Sequence, residues 1–454
     1  MKRNDIIEVK IEKMIFPNKG VGFYDGKKVI LKNVLLGQTV SARVKKKRTD
    51  KIEAKLIEVV KRADYEIKSF CPHFGQCGGC QRQTVPYEKQ TYLKGEMVKG
   101  LLEDEGIKGY KFDGVLHSPN LYNYRNKMEY SFGDEFKDGP LTLGMHKKGR
   151  HHDVVNVNHC KIAHEDSNII LENSLKFFTD NGFVKYNKRS QNEGFLRHLT
   201  VRRSVKTKEI LIGLSATTFT NMSKEKLKPF VDCLLNLKLQ GNIVGILWIK
   251  NDGLGDLVNG DIEVLYGRDY YIEELFDLKF KVSFYSFFQT NPIGAELLYG
   301  AAFNYMDNID DKTVFDLFSG TGTIAQIMSK KAKKVVGIEI IEDAVKAAKE
   351  NANLNNINNC EFLAGDVFEK LSDVKHKPDV IVVDPPRVGI SEKALKKIIN
   401  YKVNEITYIS CNPVSLVKNL KTMQDSGYEV KNVVCVDMFA HTPHVETVVK
   451  LERK

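Results

Sequence analysis

At 454 residues the chain is longer than one hydrophobic core organises, and a spacing of roughly 150 residues per domain predicts about three domains. A formal net charge of +11 argues against an ordinary metabolic enzyme and for a polyanionic partner, nucleic acid ahead of a membrane surface. No charge-free apolar run reaches the ~18 residues of a membrane span, and the N-terminal MKRNDIIEVKIEK carries acids where a signal peptide would not, so the expected compartment is the cytosol, which keeps thiols reduced, and the eight cysteines are not expected to form disulfides.

Residues 1–60 alternate apolar and polar positions in short runs separated by glycine and lysine: IIEVKIEKMIF, GVGFYDG, KKVILKNVL, QTVSARVKKK, KIEAKLIEVV. The pattern predicts short strands closing into a small antiparallel barrel. Arg43, Lys45, Lys46, Lys47 and Arg48 crowd one strand end, which reads as a phosphate-contacting edge or as a solvated loop. The run resembles the TRAM domain, an OB-like module of RNA-modifying enzymes, in Gly20-Val21-Gly22, in Asp25-Gly26-Lys27 and in this basic strand end.

Next, CPHFGQCGGC sets Cys71, Cys77 and Cys80 in a C-x5-C-x2-C arrangement among glycines that let the backbone wrap a ligand. Four thiolates would complete either a 4Fe–4S cluster or a structural zinc site. Cys160, in NHCKI, is the candidate fourth ligand, since Cys233 and Cys360 lie in ordinary helix or strand patterns. Leu93, Met97, Val98, Leu101 and Leu102 then recur at helical spacing, predicting a core-facing helix from about Tyr87 to a stop at Gly106. From about residue 116 to 275 strand patterns return, and Asn251-Asp252-Gly253 after GILWIK is a hairpin signal. YRNKMEYSF and LRHLTVRR join arginine to aromatic or strand residues, which suits stacking and phosphate contact or an exposed basic face.

From about residue 280 strands and amphipathic helices alternate: TVFDLF and TIAQIMSKKA, VVGIEI and EDAVKAAKENANLN, EFLAGD, DVIVVDPP and SEKALKKIIN, ITYISC and SLVKNLKTM, then YEVKNVVCVDMF and HVETVVKLE. The alternation predicts a doubly wound, mostly parallel sheet, with its last two strands antiparallel because no helix separates them. The expected division is a barrel over 1–60, a β-rich central region over 61–275 and an α/β domain over 276–454.

Within the last region, DLFSGTG turns from strand into helix with Gly320 and Gly322 spaced for close approach to a ligand. Glu339 ends the next strand, where an acid accepts from both hydroxyls of a ribose, and Asp366 ends the third, placed to accept from an adenine amine. A third glycine at dinucleotide spacing and a phosphate-loop lysine are both missing, so the expected ligand is S-adenosylmethionine.

Methyl transfer to oxygen or nitrogen needs no enzyme nucleophile, whereas C5 of a pyrimidine becomes reactive only after a thiolate adds at C6. Cys411, ending TYISC, is the expected nucleophile, and Glu446 of HTPHVET the base that removes the C5 proton. Asp384 of VVDPPRVG would hold the N3 edge of the ring, and Gln289 of SFFQTN would serve substrate or cofactor. Arg387 stands after the two prolines, where enzymes that methylate exocyclic amines place an aromatic residue.

With these residues the full chain resembles the RNA (uracil-5-)-methyltransferases, most closely the bacterial 23S ribosomal RNA enzymes with a TRAM domain and an iron–sulfur cluster. The resemblance implies Cys411 as nucleophile, Glu446 as base, and a 4Fe–4S cluster on Cys71, Cys77, Cys80 and Cys160. It also implies that Gln289, Phe318, Glu339 and Asp384 line the cofactor and substrate pocket, and that the early helix packs with the catalytic domain. Ser319 stands where many members have cysteine, and Asp366 where asparagine is common. The expected partner is 23S ribosomal RNA, with transfer RNA the alternative, and the expected state a monomer. A radical enzyme or an inactive RNA-binding protein are the rival readings.

Overall fold

Alternating apolar residues pleat the N-terminal segment into β1 (Ile6–Lys10), β2 (Lys13–Ile15), β3 (Lys19–Tyr24), β4 (Lys27–Lys32), β5 (Thr39–Lys47) and β6 (Lys51–Lys61). They form one sheet in the order β1-β5-β6-β4-β3-β2, with Ile7, Val9, Val29, Leu31, Val40 and Val44 in its core. A Cβ on Gly22 would lie 2.1 Å from the Lys10 carbonyl oxygen, so only glycine lets β3 pass so close to the chain at that point. Beyond Val44 the side chains of Lys45, Lys46 and Lys47 are exposed. A computed structural model describes residues 2–187, 193–370, 374 and 376–454.

The helix α1 (Tyr87–Asp104) follows, and Gly106, at φ +74°, ends it. Its apolar face is shared: Met97 packs into the core of the first sheet, Val98 and Leu102 into that of the last. It also buries three polar residues, Gln90, Thr91 and Lys94.

The central region carries β7 (Lys111–Leu116), β8 (Lys127–Gly133), β9 (Thr142–Lys147), β10 (Arg150–Asn156), α2 (Glu165–Asp180), β11 (Leu196–Arg203), β12 (Glu209–Ala216), α3 (Lys224–Leu235), β13 (Asn242–Lys250) and β14 (Asp261–Gly267). Seven of these strands form a sheet ordered β10-β9-β8-β11-β12-β13-β14, in which only β12 and β13 are parallel and α3 makes the crossover. The hairpin signalled after GILWIK forms, with β13 and β14 paired antiparallel, and one sequence expectation changes. The link after Asn251 spans residues 251–260 between paired strands, and the Arg197 guanidinium shapes it by donating to the carbonyls of Asn251 (3.1 Å), Gly253 (2.5 Å) and Gly255. The arginines of LRHLTVRR are not an exposed face, because β11 is central and buried at every position. Arg203 instead pairs with Asp166 at 2.7 Å, and Arg202 donates to the Ser286 carbonyl at 2.8 Å.

A hairpin of β15 (Tyr270–Leu275) and β16 (Leu278–Ser283) leads into the last region. There α4 (Pro292–Tyr305), β17 (Thr313–Leu317), α5 (Thr323–Met328), β18 (Lys334–Glu339), α6 (Glu342–Leu354), β19 (Cys360–Ala364), α7 (Val367–Lys370), β20 (Val380–Val383), α8 (Glu392–Asn400), β21 (Glu405–Ser410), α9 (Pro413–Asp425), β22 (Tyr428–Val436) and β23 (Glu446–Arg453) follow in order. The sheet reads β19-β18-β17-β20-β21-β23-β22-β7. β17 to β21 are parallel, and β23 runs antiparallel to both its neighbours, as the missing crossover helix requires. β7 adds in parallel to β22, so this sheet draws a strand from the segment assigned by sequence to the central region.

Candidate active site

Because β23 is antiparallel, its first residue sits at the edge where β17, β20 and β21 end. Ser410 pairs with Thr447, so Cys411 and Glu446, each one step further, meet at the rim. Asp384 ends the adjacent β20, with its amide donating to the Leu317 carbonyl. Cys411 precedes the cap of α9, Asn412, which accepts from the Val414 amide at 3.2 Å, and the helix begins at Pro413.

These groups act on one another electrostatically. Burial, then Glu446 and Asp384, push the Cys411 thiol up to about 11, while Arg387 pulls the other way. Burial and Asp384 raise Glu446 to about 8, opposed by Arg387 and Lys94, and burial raises Asp384 to about 7. Before ligands bind, then, the thiol is protonated at neutral pH and the two carboxyls titrate near it. Arg387 contacts His444 (3.1 Å), and its carbonyl accepts from Asn412 (2.8 Å) and Ser415 (3.1 Å), fixing the β20–α8 loop against α9. Gln289 donates to the Tyr299 hydroxyl at 3.3 Å, and Tyr299, buried on α4, feels Asp384, Asp316 and Glu446.

On the other side of Asp384 lies a glycine turn. Phe318 holds a left-handed φ of +67°, with its amide and that of Ser319 each donating to the Ile338 carbonyl at 3.0 Å. Gly322 has φ +75°, and a Cβ there would collide with Phe362 (2.7 Å) and Ala348 (2.9 Å). Glu339, buried at the end of β18, accepts from the Gly320 and Ile341 amides, each at 3.0 Å, so its carboxylate is fixed facing the turn. Asp366 does not end β19 as expected: it lies exposed two residues beyond Ala364, the residue paired with Glu339, and its carbonyl caps α7. The turn, the acid at the end of β18 and the open rim between them fit an adenosine ligand.

The four cysteines line one cavity of about 650 Å³, which also reaches Arg125, Arg202, Phe287 and His444. Burial pushes Cys77 up to about 11 and Cys80 up to about 12, and Cys160 and Cys71 act on both. The Gly79 amide points at the Cys77 sulfur, 3.4 Å away. Among the described residues, no group of three or more His, Cys, Asp or Glu side chains is arranged to hold a metal ion. No described helix is long and apolar enough to cross a membrane.

Sequence reasoning passed over Lys94, Asp316 and Tyr299. Asp316, fully buried at the end of β17, is raised to about 8 by burial and by Asp384 and Glu339. Lys94 had one signal, a lysine beside the apolar stripe of a helix; Tyr299 had none.

A parallel sheet with this turn after β17 and this acid after β18 defines a class I S-adenosylmethionine-dependent methyltransferase. The relatives narrow the class. The tRNA (uracil-5-)-methyltransferase family profile matches residues 262–454. An uncharacterised RNA methyltransferase of Clostridium acetobutylicum is 49% identical over all of this chain and 99% of its own, and one of Caldanaerobacter subterraneus is 45% identical over the whole of both. The crystal structure of Pyrococcus abyssi tRNA (uracil-54, C5)-methyltransferase in complex with S-adenosyl-L-homocysteine superposes with a TM-score of 0.77, at 25% identity, over 98% of this chain and 99% of that one. The chain belongs to the RNA (uracil-5-)-methyltransferase family and is an S-adenosylmethionine-dependent enzyme acting on RNA.

Proposed function

We propose that the enzyme methylates C5 of a uridine in 23S ribosomal RNA through a covalent adduct between Cys411 and C6 of the ring. The observation that carries the C5 chemistry is the meeting of Cys411, Asp384 and Glu446 at one sheet edge, while the ribosomal substrate rests on the full-length resemblance. The carboxyl of Asp384 holds the N3–H edge of a flipped uracil and orients the ring. The Cys411 thiol gives its proton to solvent at the half-exposed rim and the thiolate sulfur bonds to C6, which places the displaced π pair on C5 as an enolate. S-adenosylmethionine would be held by Phe318, Gly320, Gly322, Glu339, Asp366, Gln289 and Asp384, and would supply the methyl group that C5 takes as the sulfonium S–CH3 bond breaks, leaving the neutral thioether S-adenosylhomocysteine. Glu446 then takes the C5 proton, and the C–S bond breaks to restore the C5–C6 double bond. Its raised proton affinity suits that task, since a carboxylate at its ordinary value would be a weaker base.

Cys71, Cys77, Cys80 and Cys160 are the proposed ligands of a 4Fe–4S cluster. Their common cavity and the amide aimed at Cys77 support it, and a cluster spreads its thiolates more widely than a single ion does. A cluster held by these four residues would act as a structural clamp, since methyl transfer from a sulfonium needs no electron. Protein purified without oxygen is expected to be brown with about four irons per chain, lost in Cys71→Ser; stoichiometric zinc with no visible absorption contradicts this assignment.

Transfer RNA is the second reading, favoured by the substrate of the Pyrococcus abyssi enzyme. Mapping 5-methyluridine in both RNAs of a deletion strain separates the two: loss from 23S RNA is expected, and loss from transfer RNA alone overturns the ribosomal assignment.

A further inference from the structure

The nine residues between β22 and β23 that present Glu446 are held from outside the sheet. The Asp437 amide donates to the Leu116 carbonyl (2.9 Å), and Asn291 donates to the Met438 carbonyl (2.6 Å). Lys94 donates to the Phe439 carbonyl (3.3 Å), and the Tyr124 hydroxyl to that of Ala440 (2.9 Å). The His441 carbonyl takes the amides of Gln81 (2.9 Å) and Arg82 (3.0 Å), while its own amide donates to Gln90 (3.1 Å). His441 sits at φ +66°, a conformation that such contacts must enforce. Two of the clamps, Gln90 and Lys94, lie one turn apart on α1. The Lys94 ammonium also meets Asp437 at 2.6 Å with both side chains fully buried. Exchanging such a pair for well-packed neutral groups is often no loss in stability, so its presence calls for another use.

We infer that Lys94 is a positioning residue for the methyl transfer cycle, fixing the Asp437–His441 segment and setting a positive charge toward Glu446. The inference rests on the reading of Glu446 as base. Glu446 faces Asp384 and Arg387 from the end of β20, Cys411 from the end of β21, Tyr299 from α4 and Lys94 from α1. Lys94 in turn faces Asp437 and Arg82. Of the groups around Glu446, Lys94 and Arg387 are the cations, and Lys94 alone is sealed from solvent. Its charge therefore favours the deprotonated carboxylate that must accept the C5 proton.

Lys94→Met alone would strand a buried carboxylate and unfold the segment. The paired variant K94Q/D437N removes both charges while leaving an amide to donate to the Phe439 carbonyl. Single-turnover reactions of the full-length enzyme across pH 6–9 would read adduct formation and elimination separately on denaturing gels. The expected result is that elimination shifts to higher pH by about half a unit, with methylated adduct accumulating at neutral pH. Elimination that follows the wild-type profile overturns the inference and leaves the pair a structural device. Glu446→Gln in the same assay separates the premise: if it eliminates normally, the assignment of Glu446 fails; if it stalls while K94Q/D437N matches wild type, only the role of Lys94 fails.

Discussion

Three carboxyls at this sheet edge keep their protons far above the ordinary range: burial holds Asp316 and Glu446 at about 8 and Asp384 at about 7. Their unfolded counterparts titrate near 4, so between about pH 4 and 8 the folded state binds more protons than the unfolded one. Stability from these groups is complete below pH 4 and declines as pH rises through 7 and 8. Asp316→Asn should flatten that decline, raising the thermal midpoint of the ligand-free protein at pH 8 by about 2–4 °C with little change at pH 5. Melting curves across that range check it, and an unchanged slope would mean that Asp316 is already ionised. That Cys411, Asp384 and Glu446 lie at one sheet edge was legible in sequence because each ends or begins an apolar strand run. Their protonation was not, since it depends on mutual distance and burial that no single run contains.

The glycine turn between β17 and α5 is the element whose geometry is most demanding. Gly322→Ala would put a methyl group into the left-handed region and against Phe362 and Ala348. The backbone penalty alone is roughly 1–2 kcal/mol. Calorimetry should therefore show both a lower melting temperature and weaker S-adenosylmethionine binding, and wild-type affinity would place the ligand elsewhere. At the end of β5, neutralising Lys45, Lys46 and Lys47 together should weaken RNA binding and reduce its salt dependence by up to about three units of slope, with turnover at saturating RNA little changed. Unaltered affinity and slope would make that run a solvated strand end. The alternation of strand and helix from residue 280 onward was readable because both periodicities are strong there. The docking of α1 and β7 was not: β7 is a short run, KFDGVL, whose partner β22 lies more than 300 positions away. The arginines of β11 misled for a similar reason, because their burial follows from the strand's central place in its sheet.

Over the whole molecule, α1 joins the cores of the N-terminal sheet and the methyltransferase sheet, and a single cavity runs from the four cysteines to His444, whose partner Arg387 acts on Cys411. The net charge of +11 suits an enzyme that grips RNA through its phosphates. The central claim is that Cys411 bonds to C6 of that base before Glu446 releases it. RNA carrying 5-fluorouridine tests it, because fluorine cannot leave C5 as a cation and elimination is blocked. With S-adenosylmethionine present, wild-type enzyme should form a protein–RNA band that survives denaturing electrophoresis, Glu446→Gln should form a stable band even with ordinary uridine, and Cys411→Ala should form none with either substrate. A trapped band from Cys411→Ala, or wild-type turnover by Glu446→Gln, would contradict the account.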